Sequence, residues 1–110
     1  MKITKYLLDT KIILRFLLAD IPFQFQKAKE LFKKIEDNKA IGLVSILVIN
    51  ELIWILEHFY EKKRIEFIPQ ILKLVSLKKI KILEIKKKDL VMILDKMKRS
   101  SLDFTDLYLL

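Results

Sequence analysis

A chain of 110 residues, 53% of them hydrophobic, is one domain spanning residues 1–110 with enough apolar material for a packed core. It has no cysteine, one histidine and one glycine, which excludes disulfides, thiolate or imidazole zinc sites, a cysteine nucleophile and a glycine-rich phosphate cradle. The net charge is +8, so any catalysis rests on carboxylates, hydroxyls, amines and an acquired metal.

The charge is unevenly placed. Residues 62–99 hold 13 Lys and Arg against 4 Asp and Glu, while residues 1–61 nearly balance. A basic second half is the footprint of a polyanion partner. It is equally the footprint of a solvated Lys-rich surface, and on charge alone the solvated surface is the stronger of the two. The apolar start is interrupted by Asp9, Lys11 and Arg15, unlike a signal-peptide core. Ala40–Leu56 is apolar but short for a bilayer and carries Asn50 and Glu51, so no membrane association is expected. The composition fits a soluble, cytoplasmic protein.

Residues 3–8 (ITKYLL) predict a short central strand that ends at Asp9, and residues 11–19 a short helix. Asp20-Ile21-Pro22 is a helix start, followed by Phe25, Ala28, Phe32 and Ile35 on one apolar stripe until Asp37-Asn38. Residues 40–44 form a second strand, and Ser45 caps a helix from Ile46 to Tyr60. Ile65, Ile68, Leu72 and Val75 mark a helix that either kinks at Pro69 or starts later. Residues 80–85 (IKILEI) alternate like a strand with one wetter face. Leu90, Ile93, Leu94 and Met97 give another helix, and Asp103–Leu110 opens a last one. Strands separated by helices call for an α/β fold with a parallel sheet, whose ligands collect at the carboxyl ends of the strands. Asp9 stands at such an end.

Four carboxylates are candidates. Asp9 is level between a functional acid and an ordinary N-cap. Glu51 lies in ILVINELIWIL, where a helix buried around most of its circumference makes an ionised Glu costly unless it is paired or metal-bound. The alternative places it on one solvated stripe with Leu47 and Ile55. Asp103 and Asp106 share a face at a helix start, and as an isolated pair they read first as a capping arrangement. Taken together, carboxylates converging at the strand ends repel one another and make sense around a hard cation, magnesium or manganese. His58 reads as a surface residue. Trp54, Phe59 and Tyr60 read as core or dimer contacts ahead of a base-stacking platform.

The order and spacing of three short motifs resemble the PIN domain, and within it the VapC-type ribonuclease toxins. They are Leu8-Asp9-Thr10 with Ile12-Ile13, Val48-Ile49-Asn50-Glu51-Leu52 with Leu56-Glu57, and Leu102-Asp103-Phe104-Thr105-Asp106. The resemblance implies a three-layer α/β/α fold around a central parallel sheet, and a metal-dependent endoribonuclease. Asp9, Glu51 and Asp106 match the family's first three acids, with Asp103 auxiliary, holding Mg2+ or Mn2+. Thr10 would orient water or a carboxylate, and the Lys-rich half would hold the RNA backbone. A VapB-like antitoxin protein and a homodimer are the implied partners. Two departures stand out. Lys11 replaces the family's usual Asn, its ammonium either beside the pocket or in solvent. The family's last strand and helix, with its fourth acid, would follow Leu110, so the resemblance leads one to expect a truncated copy or fragment whose first strand has an exposed edge. These departures raise the alternative of a catalytically degenerate PIN protein that acts only by binding an antitoxin-like partner or itself.

Overall fold

A computed structural model describes residues 3–109; Leu110, the last residue of the expected final helix, lies outside them. The chain runs β1 (Thr4–Leu7), α1 (Thr10–Leu18), α2 (Pro22–Glu36), β2 (Ala40–Ser45), α3 (Ile46–Trp54), α4 (Arg64–Val75), β3 (Ile80–Leu83), α5 (Lys87–Lys98) and α6 (Phe104–Leu109). The expected alternation of strands with helix pairs is therefore the observed one.

The first three helix starts have local causes. The Asp9 side chain accepts the Ile12 amide at 2.9 Å and so begins α1, the capping role set out above. α2 begins with Pro22 at its first position, where the missing N–H costs nothing. Asp20 is not its cap; it binds Arg15 instead through two hydrogen bonds of 3.0 Å. Ser45 caps α3 as expected, accepting the Leu47 amide at 3.1 Å. α4 starts at Arg64 and runs through Pro69, so the proline does not delay it.

The three strands are parallel in the order β1-β2-β3, Thr4 facing Ala40 and Gly42 facing Ile80. The strand expected to be central, β1, is an edge among the described residues, with β2 in the middle. Its exposure matches: Leu7 is 72% exposed and Lys5 is exposed, whereas Ala40 and Val44 of β2 are buried. β3 keeps its wetter face, with Ile80 buried and Lys81 exposed. α1 packs on α2 and α3, α4 on α5 and β3, and α6 on α5 and α3. Leu8, Ile35, Ile49, Leu52, Ile71 and Leu94 are among the fully buried side chains that fill the space between.

The helix expected to reach Tyr60 changes character at Trp54. Residues Ile55–Phe59 form a π-helical turn, which adds one residue to the repeat and rotates everything beyond it. Leu56 stays buried through this turn, while Phe59 emerges 73% exposed. Phe59 and the 60% exposed Trp54 are thus not core residues.

Gly42 sets the tightest constraint in the sheet. A Cβ at this position would meet Ile80 Cδ1 at 2.8 Å, Leu8 Cδ1 at 2.9 Å and Ile35 Cδ1 at 3.0 Å. All three neighbours are themselves buried, so none has free space to move into. Gly42→Ala is expected to lower stability by about 1–2 kcal/mol through overpacking, read as a lower urea midpoint at unchanged slope.

Candidate functional site

The carboxyl ends of the strands carry three oxygen-bearing side chains. Asp9 follows β1, Ser45 ends β2 and Glu84 follows β3. Glu84 was read from sequence as part of a strand over 80–85; the strand ends at Leu83, and Glu84 adopts a left-handed φ of 74°. Its carboxylate accepts the Ile46 amide at 2.9 Å and the Ser45 hydroxyl at 3.1 Å. An acid here favours the amino-terminal end of α3, where backbone N–H groups are unpaired. Asp9 follows its predicted strand, whereas Glu84 falls inside the predicted one, so alternation alone did not single it out.

Asp9 is exposed, and one of its oxygens is engaged with Ile12. Thr10 beside it is the polar residue that is buried, at the first position of α1. Lys11 is exposed and makes no ion pair among the described residues, in keeping with the solvent alternative. Asp9 and Lys11 border an open groove of about 480 Å³ along β1, with Leu7, Arg15, Phe23 and Lys27.

Glu51 is exposed, not buried. α3 is apolar nearly all round, but Leu47, 71% exposed, and Trp54 share an open stripe with it. The solvated alternative is therefore the observed one, and burial gives Glu51 no need for a partner. Among the described residues it has no hydrogen-bond or ion-pair partner, and Asp106 has none.

Asp103 is held differently. Its Oδ1 lies 3.8 Å from Arg64 Nη2, and neither it nor Asp106 makes a side-chain cap on α6 among the described residues. Arg64, with its side chain 13% exposed, is a junction. Its guanidinium makes a two-point contact with Glu57, including Nη2 to Oε1 at 3.2 Å. Nη1 donates to the carbonyls of Ser100 at 2.9 Å and Leu102 at 2.7 Å, and more weakly to Met97 at 3.4 Å. One cation thus closes the carboxyl end of α5 and fixes the segment that leads into Asp103. Neither Glu57 nor Arg64 stood out as a structural pair in the sequence.

Carboxylate oxygens suit magnesium or manganese, and the exposed, unpartnered oxygens of Glu51 and Asp106 fit a hard cation in chemistry. In geometry, no three His, Asp or Glu side chains among the described residues come together closely enough to hold a metal ion. Asp9, Glu51, Asp103 and Asp106 therefore contribute suitable donors that this arrangement does not gather in threes.

A family model described as PIN domain matches residues 6–110. No curated protein and no solved structure gives a significant match.

The Arg64 hydrogen bond holds the Glu57 carboxyl below its ordinary value of 4.5, against a smaller opposing effect of burial. A lowered carboxyl pKa stabilises the fold above the ordinary value, and that stability drains away as pH falls through the lowered one. Glu57→Gln should therefore be less stable than the parent at neutral pH, with the difference shrinking below pH 4.5. Arg64→Ala should cost about 2–3 kcal/mol, since it strands Glu57 and three carbonyls at once. Thermal melts across pH check both.

Proposed function

The chain belongs to the PIN domain family, a nuclease family, and from that premise we propose that it is a divalent-metal-dependent endoribonuclease of the VapC toxin type. The observation that carries the reading is the set of exposed acids: Asp9 at the carboxyl end of β1, and Glu51 and Asp106 without partners among the described residues. Glu51 and Asp106, which stabilise nothing locally among the described residues, are free to bind a cation, and Asp9 can offer the oxygen that does not cap α1. Asp9, Glu51 and Asp106 would hold Mg2+ or Mn2+, with Asp103 in support. Bound there, such an ion supplies an acidified water and offsets charge at the scissile phosphate. Thr10, fixed at the start of α1, would orient Asp9 or the attacking water. The lysines of residues 62–99 hold the RNA backbone by charge, with little reading of sequence. A VapB-like antitoxin covering the acids, and a homodimer, complete the proposal.

One observation favours a second reading. The acids are not gathered in threes among the described residues, as they would not be in a PIN protein that binds a small antitoxin-like protein or itself without cleaving RNA.

Cleavage of a fluorogenic RNA by the purified chain, with manganese and with EDTA, separates the two. The nuclease reading expects manganese-dependent cleavage that Asp9→Asn reduces at least a hundredfold. A folded chain that leaves the RNA intact with manganese supports the binding reading. Glu51→Gln should abolish manganese binding yet change stability by no more than about 0.5 kcal/mol, because the side chain is exposed. Unchanged manganese affinity, by calorimetry, would remove Glu51 from the site.

A further inference from the structure

Trp54 is the single tryptophan of the chain and is 60% exposed, an expensive placement for a large apolar ring with no function. His58, one turn further along, sits against it with ring centroids 5.1 Å apart and planes at 40°, its side chain 52% exposed. The pair borders a shallow pocket of about 130 Å³ whose other walls include Asn50, Glu57 and Thr105. The pocket therefore combines an open aromatic face with an amide and a hydroxyl, which donate and accept hydrogen bonds. Trp54 also follows Glu51 by three residues on the same exposed stripe of α3.

We infer that Trp54, backed by His58, is a stacking platform for one unpaired base of a single-stranded RNA. The inference rests on the ribonuclease reading for its choice of ligand and adds a subsite to it. Unpaired bases present a π-face and a hydrogen-bonding edge, the two surfaces this pocket can meet. Asn50 and Thr105 address the edge while Trp54 takes the face. Overall charge favours this ligand: a net +8 chain attracts a polyanion, and two such chains repel each other as wholes. The acids around the pocket turn phosphates aside and leave the platform to the base.

The test uses the fluorescence of the full chain excited at the red edge, where tyrosine does not absorb, so that it reports on Trp54, the single tryptophan. A short oligoadenylate is titrated in EDTA, so that neither metal nor cleavage enters. The expected result is saturable quenching by the oligoadenylate and little quenching by an abasic oligonucleotide of equal length. By anisotropy with a labelled oligoadenylate, Trp54→Ala should bind about tenfold more weakly. Trp54→Phe should stay within about threefold of the parent, since it keeps an aromatic face. Trp54 is exposed, so these variants leave the core intact. Equal quenching by the abasic strand, no quenching, or unchanged affinity in Trp54→Ala would overturn the platform. A blue shift that grows with protein concentration and needs no oligonucleotide would assign the face to self-association and overturn it as well. Manganese-dependent cleavage without quenching would sink the platform and spare the nuclease reading; quenching without cleavage would do the reverse.

Discussion

The structure turns on the missing side chain at Gly42. Three neighbouring elements meet above this one residue: Leu8 beyond β1, Ile80 on β3 and Ile35 on α2 all come within 3.0 Å of where a Cβ would sit. Because the middle strand yields that volume, the flanking helix can lie close to the sheet. The carboxyl ends of the strands, where Asp9 and Glu84 stand, are only as well placed as this packing makes them.

Two polar junctions then carry that order outward to the surface. Glu84 ties the end of β3 to the start of α3, and Arg64 ties Glu57 to the segment between α5 and α6. Both use a charged side chain to satisfy backbone groups left over at helix ends. Glu51, between these two junctions, is attached to neither among the described residues. A helix that is well anchored at both ends can present an unpartnered carboxylate without distortion, which is the condition a ligand-binding acid requires.

Much of this was legible in the sequence, for reasons that differ from residue to residue. Asp9 and Ser45 announce their helices because capping is local, a matter of three residues. The strand-helix alternation is legible because apolar spacing is local as well. Glu51 was misplaced because α3 is apolar almost all round, so its sequence does not reveal which side faces solvent; the exposed stripe of Leu47, Glu51 and Trp54 emerges only when the other sides are packed. The π-helical turn at Ile55–Phe59 leaves no clear mark in composition, yet it re-phases the aromatic residues beyond it. Arg64 reaches carbonyls 33 to 38 residues away, a pairing that no local pattern encodes. The PIN domain membership was legible in the order of three short motifs, even though none of them is distinctive alone.

The edge of β1, unpaired among the described residues, makes the behaviour of this chain in solution depend on what surrounds it. An unpaired strand edge is a template for another strand, and here it runs beside the exposed Leu7 and Phe23. Mutual repulsion between chains of charge +8 opposes the pairing of two such edges. That barrier weakens as salt rises, because at physiological ionic strength the field is screened within about 8 Å. A bound polyanion neutralises it too. The protein should therefore be best behaved in dilute buffer, and its colloidal stability and its grip on nucleic acid draw on the same lysines.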